Sequence, residues 1–255
     1  MKYSNTAIQC FKSCRRLYEL KYLKGIQIAN KSQSLERGTN YHSKLEQLFK
    51  NGDFEKDENI KSNAMVMAFK KYIFPKLNIV DVEKWFEYSA DENQIIGRID
   101  GLNSDGFVVE HKTTSLVIDG NYWNALEMDE QILTYMIAMN TNRILYTVCR
   151  TPTIRQTQNE TDEDFENRCI EWYDKDTESK IAINEIIRTE QRLEDFKKMQ
   201  IETVKEISNC KLFYRCPSNC QKWGRMCEYA PICMMSNYDE MIAFAQNLNE
   251  EEENG

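Results

Sequence analysis

Segments of helical and of strand periodicity follow one another along this 255-residue chain, and three observations predict an α/β fold. Helical patterns occupy residues 4–24, 35–50 and 61–74; a strand and a hairpin fill 84–90, 94–100 and 107–111; a helix at 122–140 then leads to a strand at 143–150.

In the first helix Ser4 or Asn5 supplies the cap, Ile8, Phe11, Leu17, Leu20 and Leu23 form the apolar stripe, and Gly25 ends it. Cys14 lies inside this helix, and Arg15, Arg16, Lys21 and Lys24 make it locally basic. The second helix starts near Leu35 or Thr39, stops at Asn51 and Gly52, and carries His42 and Glu46 four residues apart on one face. The third ends before Pro75. Gly101, Asn103, Ser104, Asp105 and Gly106 provide the turn of the hairpin.

Over 122–140, Leu126, Ile132, Leu133, Met136 and Ile137 recur at helical spacing, with Gln131 and Tyr135 sharing a face. Within 143–150, Cys149 reads as a small buried hydrophobe. A polar stretch follows, with a short helix opened by Thr161 or Asp162, then a long amphipathic helix over 182–208. The acidic tail EEEN is expected to fray.

Hydrophobic content of 41% with 11% aromatic residues is that of a globular protein. No apolar run has the length of a membrane span, and MKYSNTAIQC lacks the apolar stretch of a signal peptide, so a cytoplasmic protein is expected. A net charge of -8 argues against coating nucleic acid by bulk electrostatics, while leaving room for a local basic channel. Lys12, Arg15, Arg16 and Arg98 are candidates for such a channel.

The hairpin GRIDGLNSDGFVVEHK carries the chemistry. Alternation along a strand sends Glu110 and Lys112 to one face and His111 to the other, and closing the turn brings Asp100 beside them. Two hard carboxylates and a lysine around one small volume suit Mg²⁺ or Mn²⁺, with a phosphodiester polarised for attack by water. An isolated D…ExK pattern is short and common; its company elsewhere in the chain gives it weight.

That company includes five cysteines, Cys210, Cys216, Cys220, Cys227 and Cys233, within a turn-rich segment of a chain that holds nine. In a reducing compartment such density points to metal, either tetrahedral zinc or an iron–sulfur cluster on four thiolates.

Taken together these pieces resemble the PD-(D/E)XK nuclease superfamily, in particular its RecB-like branch with an iron–sulfur cluster, which includes Cas4, the AddB nuclease domain and related phage exonucleases. The resemblance runs over nearly the whole chain in the family's order: SNTAIQCFKSCRRLYELKY, GTNYH, GRID, EHK, QILTY and the terminal cysteines. It implies that His42, Asp100 and Glu110 bind the catalytic metals together with the His111 backbone carbonyl, and that Lys112 is the catalytic lysine. Gln131 and Tyr135 would position DNA.

In that branch one cluster ligand comes from the N-terminal helix and three from the C-terminal segment. This selects Cys14, Cys220, Cys227 and Cys233 for a [4Fe-4S] cluster, with zinc as the alternative. Cys227 and Cys233 keep the family's five-residue gap, but Cys220 stands further from Cys227 than the family pattern has it. Cys216 is therefore a rival for the third ligand, and Cys10 a weaker rival to Cys14.

The fold implied is a PD-(D/E)XK core, a mixed central sheet flanked by helices. One nuclease domain is expected over 1–255, with its core at about 34–150 and a cluster subdomain built from about 1–30 and 205–240. The activity implied is that of a Mg²⁺- or Mn²⁺-dependent deoxyribonuclease, an exonuclease on single-stranded or end-frayed DNA. Its setting would be CRISPR-type processing or phage recombination or degradation, as a homo-oligomer or with a partner protein. The alternative from another class is a DNA-binding or scaffolding subunit, against which the intact Asp100, Glu110 and Lys112 count.

Overall fold

The computed structural model describes residues 1–28, 33–222 and 224–235, with 240 and 242; the tail EEEN lies outside them. The chain divides into two compact units: Met1–Ser32 with Tyr88–Ile96 and Lys197–Gly255, and Gln33–Glu87 with Gly97–Phe196.

In the first unit, β1 (Lys2–Ser4) pairs parallel with Gln94–Ile96, and the Ser4 hydroxyl caps α1 (Asn5–Ser13) by accepting from the Ala7 N–H. The helix expected to run unbroken over 4–24 stops at Cys14, whose backbone is extended (φ -160°, ψ 112°). A four-residue helix, α2 (Arg15–Tyr18), and a π-helical turn over Glu19–Leu23 continue beyond it to Gly25, at φ 64°. Apolar spacing persists across the break, so periodicity hides it. The Arg16 N–H freed there bonds to the Tyr214 carbonyl at 3.1 Å, a partner from far along the chain.

The second unit opens with α3 (Gln33–Asn51), stopped by Gly52 at φ 75°. Next is α4 (Ile60–Tyr72), capped by the Asn59 side chain and followed by a turn at Pro75. A long hairpin, β2 (Ile79–Ala90) and β3 (Asn93–Asn103), has residues in both units. β4 (Val108–Thr114) runs antiparallel to β3, from Gly101↔Val109 to Leu102↔Val108. The turn between them is set by the Asn103 side-chain oxygen, Oδ1, which accepts from the N–H groups of Asp105 and Phe107.

The helix expected over 122–140 is two helices, α5 (Gly120–Ala125) and α6 (Glu130–Ala138), parted at Asp129. The Asp129 carboxylate caps α6 by accepting from Gln131 and Ile132, and an aspartate at that job holds its own backbone out of the helix. β5 (Arg143–Arg150) falls where expected and pairs parallel with β4 over seven residues. α7 (Asp162–Asp174) is capped by Thr161.

The stretch 182–208 is not one helix. It begins as β6 (Ile181–Ile187), antiparallel to β5 from Arg143↔Ile187 to Cys149↔Ile181, and only then becomes α8 (Glu190–Asn209). The isoleucine-rich start has an open β5 edge to pair with, and that ladder outweighs its helical spacing. The second unit thus carries a mixed sheet, ordered β3-β4-β5-β6 with β2 on β3, with helices against it. In the first unit β7 (Gln221–Lys222), β8 (Arg225–Met226) and α9 (Ala230–Met234) close the described chain.

One face of the second unit's sheet is dry. Tyr41, Leu45 and Leu48 of α3 and Met65, Val66, Ala68 and Phe69 of α4 pack with Val109, Cys149, Tyr173 and Ile181. In the first unit Leu20, Ile26, Tyr229 and Ile232 form a smaller core, with Tyr229 donating to the Ile26 carbonyl at 2.8 Å. No helix among the described residues is long and apolar enough to cross a membrane.

Phe69 is fully buried, its ring edge-on to those of Tyr41, Phe49 and His111. Phe69→Ala should therefore lower the unfolding free energy by about 3–5 kcal/mol, seen as an earlier urea midpoint. A midpoint equal to wild type would contradict this packing.

Candidate active site

Two strands and two helices bring the site together. Continuing the β3–β4 register by one residue sets Asp100 opposite Glu110. Asp100 Oδ2 accepts the His111 backbone N–H at 2.9 Å, which locks the carboxylate to the strand beside it. From α3, His42 Nδ1 stands 3.6 Å from Asp100 Oδ1. From β4, Lys112 Nζ pairs with Glu110 and donates to Gln131 Oε1 at 2.7 Å.

Gln131 and Tyr135, one turn apart on α6, act on Lys112 in series. Gln131 Nε2 donates to the Tyr135 hydroxyl at 2.6 Å, and that hydroxyl donates to the Arg98 carbonyl at 3.0 Å. The Tyr135 ring meets Phe86 edge to face at 5.7 Å. Phe86 in turn lies over Gly97, where an added Cβ would come within 2.5 Å of its ring. The glycine of GRID is thus required by close approach.

Burial dominates the electrostatics. Glu110 is 1% exposed. Lys112 Nζ pairs with its Oε1, and its Oε2 has no hydrogen-bond donor among the described residues. Desolvation, and then the Asp100 charge, push the Glu110 carboxyl up to about 8. Burial likewise raises Asp100, against the opposing pull of the His111 N–H and of Lys112. Burial alone would lower Lys112, yet the attraction of Glu110 and Asp100 prevails and raises it. His42 is lowered by burial, so it is a neutral imidazole with a lone pair to offer.

These donors fit a divalent cation. A buried carboxylate with one oxygen left without a hydrogen-bond donor among the described residues, a second one beside it and a neutral imidazole make an oxygen-rich set suited to Mg²⁺ or Mn²⁺. A cavity of about 590 Å³ opens onto His42, Asp100 and Lys112, lined also by Thr39, Glu46, Glu83 and Arg98; Glu110 is not among its lining residues.

Both histidines of the chain meet this hairpin, but on opposite faces. The His111 ring stacks on Phe49 and shares a short 2.6 Å bond with Thr147 in the core, as strand alternation predicted. Arg98 reaches the cavity and pairs with Glu83. Arg15 and Arg16 belong to the other unit, where they pair with Glu206 and Glu19.

Glu83 was missed by sequence reasoning. Its carboxylate, His42 and Asp100 have ligand atoms all within 4.8 Å of one another. The expected strand began one residue later, at Lys84, and an acidic residue in IVDVEKWFEYSA carries no local sign of where it points.

The cysteines form no such close group among the described residues, so a single ion on three thiolates is not assembled there. Burial raises Cys227, with Cys220 and Cys14 adding to it, and burial pushes Cys10 up to about 11 with Cys14 and Cys227 as neighbours. Cys233 accepts from Arg215 Nε at 3.4 Å, and Cys216 from Asn219 Nδ2 at 3.3 Å.

No protein-family model matches the chain, and no curated protein is similar to it in sequence. Among solved structures, it is similar to a protein of Eubacterium rectale provisionally designated an exonuclease. The identity is 14% over 92% of this chain and 88% of that one, with a TM-score of 0.55, which shows a shared fold. A phage-related exonuclease of Haemophilus somnus 129PT (13% identity, 73% and 90% covered, TM-score 0.37) is a more distant match. So is an alkaline exonuclease of Laribacter hongkongensis (14%, 81% and 93%, TM-score 0.29).

The buried Glu110 predicts how the metal-free protein responds to pH. Its folded pKa, about 8, stands above the ordinary 4.5. Its contribution to stability is therefore fully present below about 4.5 and lost as pH rises toward 8. His42 and His111, lowered by burial from 6.5, act in the opposite sense, but only up to about 6.5. Between about 6.5 and 8 in chelator, the urea midpoint should fall for wild type and stay flatter for Glu110→Gln. A wild-type midpoint that rises across this window would contradict the buried carboxyl.

Proposed function

We propose that the chain is a divalent-metal-dependent deoxyribonuclease of the PD-(D/E)XK type, an exonuclease on single-stranded or end-frayed DNA. The observation that carries this reading is the convergence of Asp100 and Lys112, with His42 beside Asp100, on the buried Glu110 carboxylate, whose only charged partner among the described residues is Lys112. Asp100, Glu110 and His42 would hold Mg²⁺ or Mn²⁺, with the His111 carbonyl as a further ligand; the chemistry supplied there is polarisation of the phosphodiester and of the attacking water.

The protein's own part is positioning. Lys112, fixed between Glu110 and Gln131, presents a cation beside the two carboxylates, where it can orient water or offset charge developing on the phosphate. Gln131 holds that ammonium, and Tyr135 holds Gln131. The shared fold with the Eubacterium rectale protein supports the nuclease reading.

A [4Fe-4S] cluster in the first unit completes the proposal, with Cys14, Cys220, Cys227 and Cys233 as ligands and Cys216 as the rival for the third. Support comes from Cys227, which burial raises and on which Cys220 and Cys14 both act. The extended backbone at Cys14 takes that residue out of the regular helix, at a corner between α1 and α2.

Asp100→Ala, Glu110→Ala and Lys112→Ala should each abolish cleavage of end-labelled DNA in Mg²⁺ or Mn²⁺ while keeping a cooperative thermal transition; full activity in the Glu110 variant would sink the assignment. Circular substrates should resist digestion.

Protein purified without oxygen should be brown, with iron and inorganic sulfide that are lost in Cys14→Ala, Cys220→Ala, Cys227→Ala or Cys233→Ala but kept in Lys112→Ala. Colour retained in Cys216→Ala and lost in Cys220→Ala would fix the third ligand. A colourless protein with stoichiometric zinc would refute the cluster.

A further inference from the structure

Glu83 stands in the middle of β2 with φ 55°, a left-handed backbone that a glutamate rarely adopts inside a strand. The same residue turns its carboxylate into the cavity, to within 4.8 Å of donor atoms on both His42 and Asp100. There its partner is Arg98, the next cavity-lining residue of β3 before Asp100. The guanidinium of Arg98 is 52% exposed and lies over the Trp85 ring, 5.7 Å from its centroid. Nearby, the buried Glu110 carboxylate pairs with Lys112 through Oε1, while its Oε2 has no hydrogen-bond donor among the described residues and is left as an acceptor for a cation.

We propose that Glu83 is a further ligand of the divalent-cation site, and that cation binding takes Glu83 from Arg98 and frees that guanidinium for a phosphate of the substrate. The inference rests on the reading of His42, Asp100 and Glu110 as a metal site, and it adds a competition to it. One carboxylate cannot serve a cation at full strength and an arginine at once. Arg98 and the metal therefore oppose each other at Glu83, and metal and DNA assist each other through Arg98. With the cation in place, Arg98 stays near the reacting centre, tethered by its Trp85 contact and by the Tyr135 bond to its carbonyl. Its planar fork matches two oxygens of a phosphodiester.

The test is a double-mutant cycle read by Mn²⁺ binding, with free Mn²⁺ followed by electron paramagnetic resonance and no DNA present. Glu83→Gln should weaken Mn²⁺ at least about tenfold. Arg98→Gln should tighten it several-fold, because the competitor is gone. In the Glu83→Gln background, Arg98→Gln should change it little.

A second measurement uses Ca²⁺ in place of Mn²⁺ with single-stranded DNA. Arg98→Gln should weaken binding in Ca²⁺, and lower the salt slope by about one, with a smaller loss in chelator, where Glu83 holds the guanidinium. Thermal melts in chelator establish that the variants are folded, and Glu83→Asp, which keeps the charge on a shorter arm, should bind Mn²⁺ better than Glu83→Gln.

Mn²⁺ affinity in Glu83→Gln equal to wild type would overturn the inference and leave the metal site standing. Tightening by Arg98→Gln of the same size in both backgrounds would overturn it too, since it would show a general charge effect. Wild-type protein that binds no Mn²⁺ would remove the metal site itself, and this inference with it.

Discussion

A carboxylate sealed from water next to a second carboxylate is the constraint on which the second unit's site depends. Glu110 has lost its hydration, keeps Lys112 as its one charged partner among the described residues and stands against Asp100. Such a group is tolerated only while positive charge or a proton answers it. Lys112 answers in part from two residues away on the same face of β4. The other face of β4 carries His111 into the aromatic packing of Phe49 and Phe69. The strand that suspends the charges is thus anchored by the core behind it.

From that constraint the supporting structure reads outward. Lys112 has to be held at a fixed place, and Gln131 does so because Asp129 starts α6 at the right residue to aim it. Tyr135 fixes Gln131, Phe86 supports Tyr135, and Gly97 leaves room for Phe86. Five residues that touch neither carboxylate set the position of one ammonium. Placing a site on strands and a capped helix, rather than on loops, gives the rigidity that positioned charges need.

The first unit solves a different problem. Its apolar cluster of Leu20, Ile26, Tyr229 and Ile232 is small, and the chain around it is rich in turns. Segments from the two ends of the chain meet there through the Arg16–Tyr214 backbone bond and the Tyr229–Ile26 bond. A unit with so little core gains from any crosslink between distant segments, because closing a long loop restricts the unfolded chain. Thiols from both ends lie within that setting.

By itself the sequence determined the hairpin, its turn, the face shared by Glu110 and Lys112, the opposite face given to His111, and the Gln131–Tyr135 pair. Each follows from a period of two or of nearly four residues, or from turn chemistry, which are local properties. The break at Cys14, the division of 122–140 at Asp129 and the strand at Ile181–Ile187 were decided elsewhere. In each case apolar spacing stayed continuous, while a hydrogen-bond partner supplied by another part of the chain or by a capping side chain chose the backbone. Glu83 is the sharpest example. Nothing in IVDVEKWFEYSA says that its fifth residue leaves the strand's regular geometry or that its carboxylate meets His42 and Asp100, since neither is a local property of the sequence. Local pattern sets which side of an element a residue faces; only the packed fold sets what faces it.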